Sequence, residues 1–289
     1  MQLYEALLDR DGLDLETRDL NGNTLFLAAC KNKHRSWIRL GEGPKVLPCI
    51  ALQQRGADIC AMNNKGDNAL HILVSLEDGD RDEEAKKSAI STLIGLSPEL
   101  VHQQNKDGFT PFQTAWKSSD TDWAWQILLD AGADFTSTAP DGNTVLHAAL
   151  KVRAVRIKWI ERFLHSGLDL NARNKDGETP IFGWARSPLI LVEDVEQHPE
   201  SKDQKKLKDS FPRTLQFLEK AGFDFHVVNT QGQALLHILA QCSVKRRFGT
   251  GAPRKTSILF KELVGHGLDP LAQDMKGWSA LVSQRLELS

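Results

Sequence analysis

The sequence predicts a linear array of repeats in which each unit packs only on its neighbours. Three observations predict it. A short motif centred on glycine recurs seven times along the 289 residues. A second mark, glycine–hydrophobic–aspartate, stands at a fixed distance ahead of most copies. The length that varies between copies lies entirely on the other side of the motif.

The fullest copy is Asp141-Gly142-Asn143-Thr144-Val145-Leu146-His147-Ala148-Ala149. Its glycine aligns with Gly22, Gly66, Gly108, Gly177, Gly232 and Gly277, at successive spacings of 44, 42, 34, 35, 55 and 45 residues. The second mark begins ten residues before the motif glycine, at Gly12, Gly56, Gly132, Gly167, Gly222 and Gly267; Pro98 holds that place ahead of Gly108. From each motif glycine to the next mark the distances are 34, 32, 24, 25, 45 and 35 residues. A repeat of about 33 residues needs about 23 there. The connecting segment is therefore constant, and the insertions fall in the helical half.

Read as D-G-x-T-x-L-H-x-A, the motif resembles the ankyrin-repeat signature T-P-L-H-x-A. The common register extends that resemblance over essentially the whole chain. It implies an all-α ankyrin-repeat solenoid of helix-turn-helix units with hairpin-like finger loops. One domain over residues 1–289 would hold about six full repeats and a half repeat at each end. The residue types suit the roles. Thr or Asn ahead of the apolar run caps the first helix, and Pro111 and Pro180 sit where a fixed φ suits a first helical turn.

Taken in order, residues 2–9 read as a lone second helix, with Leu3, Ala6 and Leu7 at helical spacing. Four insertions follow, near 31–48, 75–87, 187–211 and 243–257. In the first, Gly41-Glu42-Gly43-Pro44 reads as a turn, with Pro44 opening the second helix. The second carries acids from Glu77 to Glu84 ahead of a helix reaching Leu96, where negative charge suits a helix N-terminus. The order of a calcium-binding loop is missing there. In the third, an apolar turn at Ser187–Val192 leads into the charged and mobile stretch Glu193–Asp209. The fourth is a flexible basic loop from Lys245 to Lys255, open to reading as a solvated insertion, a nuclear-import signal or a nucleic-acid contact. Gly277 opens a first helix from Ser279 to about Leu288. Half repeats at both ends predict either atypical caps or a piece of a longer protein.

The net charge of -2 supplies no general drive toward nucleic acid or anionic membrane. Four cysteines without a C-x-x-C pair read as reduced thiols of a cytoplasmic or nuclear protein. The first residues carry no secretory pattern, and no apolar run reaches the roughly 18 residues of a membrane helix.

His71, His147 and His237 share the fourth place of T-P-L-H, where recurrence invites a catalytic or metal role. The resemblance instead implies imidazoles that hydrogen-bond neighbouring backbone and link units. The same place holds Leu27, Gln113, Phe182 and Val282, none of which suits a recurring ligand. Zinc, phosphate-loop and nucleophile-elbow spacings are missing, so no catalytic residue, cofactor or metal is expected. His198 and the acids at 193–196 are the remaining candidates for an enzyme on the insertion edge. Trp123 and Trp125, about 200° apart on a helix, cannot both face one core.

The expected binding surface is the set of finger tips around the motif glycines: Leu20, Asn23, Asp67, Lys106, Phe109, Asn143, Lys175, Glu178, Gln233, Met275 and Trp278. Phe109 and Trp278 mark its two ends, as exposed aromatics are common interface anchors. The resulting expectation is a non-catalytic scaffold or adaptor holding a protein partner on its concave finger and inner-helix face. The alternative is a regulatory or ligand-sensing array of a larger multidomain enzyme or receptor.

Overall fold

Helices begin at Leu25, Ala69, Pro111, Val145, Pro180 and Leu235, each three residues after a motif glycine, in a computed structural model of the chain. It describes residues 14–31, 38–39, 45–76, 83–116, 122–151, 157–186, 215–245 and 252–282. A helical run also starts at Ala280, three after Gly277. The common start has a local cause. Asn68 and Thr110 lie in extended conformation, and their side chains accept from the N–H of His71 and Gln113, closing the first turn. Pro111 then occupies the first helical position.

At seven residues or so these first helices are too short to persist alone; packing holds them. The chain divides into two compact units, Met1–Pro140 and Asp141–Ser289. In the first, the helices Leu25–Lys31, Ala69–Ser75 and Pro111–Ala115 pack in succession. Each also packs on its own second helix: Pro48–Gln54, Glu83–Leu96 and Asp122–Asp130. Phe26, Leu27, Leu70, Leu73, Ile90 and Phe112 are buried between them. Phe112 meets Trp116 and Trp125 edge-on at 5.7 and 5.9 Å. Trp125 is buried and Trp123 only half-buried, as their angular separation requires.

In the second unit, Val145–Lys151, Pro180–Arg186 and Leu235–Lys245 pack in the same succession, with Ile157–Leu164 and Ala252–Gly265 as second helices. Its core gathers Leu150, Ile160, Phe182, Trp184, Leu236 and Leu263. Fully burying each such side chain stabilises by about 1.5–3 kcal/mol, so burial outweighs the weak intrinsic helicity.

Among the described residues the structure is all-α, apart from one antiparallel pair, Ile38–Arg39 with Lys45–Val46, and isolated bridges inside the fingers. That pair corrects one expectation: the second helix opens at Pro48, not Pro44, because extended pairing continues to Val46 and Pro48 then takes the first helical position. The basic stretch is also more helical than expected: one helix runs through Lys245 and the next starts at Ala252. The acidic pair Glu83 and Glu84 does fall in the first turn of the helix ending at Leu96. The expected lone helix at 2–9, the turn at 41–44, the whole 187–211 insertion with its candidates His198 and 193–196, and loop residues 246–251 lie outside the described residues. No helix among the described residues is long and apolar enough to cross a membrane.

Candidate interaction edge

Each finger is folded around one side chain that stands three residues before its glycine. Asp19 Oδ1 accepts from the N–H groups of Asn21 and Asn23 at 2.8 and 2.9 Å. Asn63, Asn105, Asn174, Asn229 and Asp274 bracket their own loops in the same way, at 2.9–3.1 Å. Only Ala139, ahead of Gly142, breaks the column. An Asp or Asn that folds its own backbone is a strong local turn signal. The column is legible in the sequence once the glycines are aligned.

The fingers are then tied to one another. In the first unit, Asn64 N–H donates to the Asn21 carbonyl and Lys106 N–H to the Lys65 carbonyl, both at 2.9 Å. In the second, Lys175, Thr230 and Met275 N–H donate to the carbonyls of Asp141, Asp176 and Gln231 at 3.0 Å. A side-chain rail runs beside this backbone ladder. Asn63 Nδ2 donates to Asn23 Oδ1 at 3.2 Å, Asn105 to Asp67 at 2.8 Å, and Asn174 to Asn143 at 2.9 Å. Asn229 Nδ2 reaches Glu178 Oε1 at 3.4 Å. Arg18 and Arg173 add clamps: each Nη1 donates to a carbonyl of its own finger and to one of the next, Met62 or Val228, at 2.6 Å.

The three histidines complete the linkage. Nδ1 of His71, His147 and His237 accepts from the backbone N–H of Asn68, Thr144 and Ala234 at 3.1–3.3 Å. Nε2 therefore carries the proton. It donates to the carbonyls of Phe109, Glu178 and Trp278, each in the following finger, at 2.8–2.9 Å. Both ring nitrogens are occupied, and His71 is the third-position partner of a capping box with Asn68. Gln113 makes the same bond, with its Oε1 accepting from Thr110 N–H, which explains why glutamine can stand in this place. Burial lowers the pKa of His71 and His147, against the pull of the carbonyls they bond. Among the described residues no group of three or more His, Cys, Asp or Glu could hold a metal ion.

This linkage sorts the expected binding residues. Asn23, Asp67, Asn143 and Glu178 do not project as free finger tips. They are the acceptors of the rail, and Asn23 and Glu178 are buried. The acceptor role turns them toward the next finger, a partner that lies some 30 to 50 residues away and is invisible to local reading. Glu178 is also paired in bidentate fashion with Arg186. Gln233, half-buried, bonds Asn229 at 3.3 Å and contributes to holding the Asp274 carboxyl low. Burial alone would raise that carboxyl, but the N–H groups of Trp278 and Lys276 outweigh it. The Asp19 carboxyl is likewise held below the usual range, first by the Asn23 side chain and then by Asn23 N–H.

Leu20, Lys106, Lys175, Met275 and Trp278 are exposed, and Phe109 is half-buried. Leu20 is 100% exposed and Met275 78%. The outward set thus comprises Leu20, Lys106 and Phe109 on the first unit and Lys175, Met275 and Trp278 on the second.

No family model matches the chain. Over 120 residues, 41% of its length, the chain is 35% identical to the Neurogenic locus Notch protein of Drosophila melanogaster. It is 28% identical over 190 residues, 63% of its length, to Neurogenic locus notch homolog protein 2 of Homo sapiens. To the Nuclear factor NF-kappa-B p105 subunit of Gallus gallus it is 27% identical over 150 residues, 51% of its length. Notch and p105 contain ankyrin repeats. The matched stretches make up 4%, 7% and 13% of those three proteins, so the chain spans a small part of each.

Proposed function

We propose that the chain is an ankyrin-type module that holds a protein partner along its finger edge and performs no catalysis itself. One observation carries this reading. The hydrogen-bonded rail fixes the finger loops while leaving a defined subset of side chains turned outward, apolar and basic together. Rigid loops presenting aromatic and long side chains bind with little ordering cost. The similarity to ankyrin-containing proteins supports it, since finger and first-helix surfaces are where the family is expected to meet partners.

The partner contacts would be Leu20, Lys106 and Phe109 on one unit and Lys175, Met275 and Trp278 on the other. Asn23, Asp67, Asn143, Glu178 and Gln233 would act indirectly, by holding those contacts in place. The test is capture of partners by the wild-type chain and by two folded variants, Lys106→Ala/Phe109→Ala and Met275→Ala/Trp278→Ala. Loss of the same captured protein with unchanged thermal unfolding is expected; capture at wild-type level by both variants would sink the assignment.

A second reading is favoured by the small share of each relative that the chain matches, 4–13%. On this reading the chain is a regulatory or ligand-sensing array within a larger enzyme or receptor, and the finger edge binds another part of that same protein.

A further inference from the structure

The last described finger is unlike every finger before it. Where a side chain would stand on Gly22, Gly66, Gly108, Gly142, Gly177 and Gly232, the next finger approaches to between 2.2 and 3.0 Å. Among the described residues nothing lies within 4 Å of that position at Gly277, although its φ of +76° matches the others. The carbonyl of Lys276, equivalent to those of Asn21, Lys65, Asp141, Asp176 and Gln231, accepts no hydrogen bond among the described residues. Around it Leu271, Met275, Trp278, Leu281 and Val282 are all exposed.

The first finger is the complement. The residue that donates the ladder bond and covers the preceding glycine is Asn64, Lys106, Lys175, Thr230 or Met275 in later fingers. In the first finger it is Leu20, fully exposed, with an N–H that finds no partner among the described residues. The side-chain rail also matches in sense. The first finger offers the acceptor-only Asp19, and the last offers Trp278, whose indole is a donor only. Asp274 and Gln233 already form an acceptor–donor pair of this kind between neighbouring fingers.

We infer that the chain associates head to tail, the Leu20 finger of a second copy docking on the open edge at Gly277. Leu20 covers Gly277 and Trp278, its N–H bonds the Lys276 carbonyl, and the exposed apolar residues of the last repeat are buried. The contact joins two different surfaces, so it adds copies in series and does not stop at a two-fold dimer. It uses Leu20, Met275 and Trp278 of the partner surface proposed above and none of Lys106, Phe109 and Lys175, so Lys106→Ala/Phe109→Ala should lower partner capture and leave self-association unchanged.

The experiment is sedimentation velocity on the full chain over a concentration series, with Leu20→Pro and Trp278→Asp. Proline already occupies the equivalent place at Pro140, so the first variant removes the N–H at a position the fold tolerates. Wild type should form a concentration-dependent ladder of masses, and each variant should weaken association at least about tenfold. An equimolar mixture of the two variants retains one intact pair of surfaces and should stop at the dimer. Leu96→Ser, which alters an exposed apolar residue elsewhere, should leave association unchanged. A wild type that stays monomeric to its solubility limit overturns the inference, the edge then being covered by the chain's own flanking residues. A mixture that stays monomeric, or association lost equally in Leu96→Ser, overturns it too.

Discussion

Two neighbouring steps in the first unit differ in how the next finger is held. Between the fingers of Gly66 and Gly108, Lys106 N–H bonds the Lys65 carbonyl, Asn105 bonds Asp67, and His71 bonds the Phe109 carbonyl, all at 2.8–2.9 Å. At the next step each part has been replaced. Pro140 has no N–H to donate, Ala139 has no amide, and Phe109 has no side-chain acceptor. Gln113 stands for the histidine and donates to Ser137 Oγ at 3.3 Å. The Pro140 ring lies over Gly108, where the other fingers set a backbone or polar group. The boundary between the two compact units falls directly after Pro140. The signature describes how a finger folds and not which bonds its neighbour supplies.

The largest expected effect tests the stiffness of the two steps. Gly66 and Gly108 have nearly equal φ, +75° and +80°, so an added side chain suffers similar backbone strain at each. That strain is about 1–2 kcal/mol. The obstacles differ. At Gly66 the new Cβ would meet the backbone nitrogen of Lys106 at 2.8 Å, fixed by its ladder bond; at Gly108 it would meet the Pro140 ring at 2.9 Å. Gly66→Ala should cost about 3 kcal/mol or more, and Gly108→Ala closer to the strain alone. Equal losses in chemical denaturation would mean that the ladder adds no stiffness.

An intermediate effect concerns pH. Folded His71 and His147 bind protons less readily than in the unfolded chain, because burial disfavours the charged ring. The unfolded chain therefore takes up protons first as pH falls through about 6.5, and stability is lost from there down toward the depressed folded values. Asp19 and Asp274 have lowered carboxyl pKa values, so they add a second loss only below about pH 4, as they protonate. Gln113 shows that glutamine serves the histidine place in the step that lacks the ladder. His71→Gln should therefore fold and should flatten the first of these windows. An unaltered stability profile between pH 7 and 5 would show that His71 does not titrate in that range.

Much of this architecture is legible from residue order. The seven glycines fix where helices start, and the caps Asn68 and Thr110 and the prolines Pro111 and Pro180 agree with them. Local chemistry decides those features, so local reading finds them. The second-helix start at Pro48 was hidden because Pro44 satisfies the same rule, and only the pairing of Ile38–Arg39 with Lys45–Val46 separates them. Which finger residues face outward is half legible. Leu20, Met275 and Trp278 are exposed where expected. Asn23 and Glu178 are polar residues in a turn, which ordinarily face water, yet a distant asparagine draws each inward.

The smallest effect would rebuild the missing rail. Ala139→Asn combined with Phe109→Asp places an amide and a carboxylate where Asn105 and Asp67 stand one step earlier, at 2.8 Å. Phe109→Asp alone should destabilise, since its carboxylate gains no donor and the half-buried ring is lost. Ala139→Asn alone gains only the bracketing of its own loop that the other Asn and Asp residues of the column supply. Together they should recover a coupling of about 0.5–1.5 kcal/mol, the net worth of a typical hydrogen bond. A double-mutant cycle in urea measures it free of the individual losses. A coupling near zero would locate the weakness of this step in the Pro140 backbone and not in its side chains. Tying would then depend on the N–H ladder, with the asparagine rail serving to shape each finger more than to join it to the last.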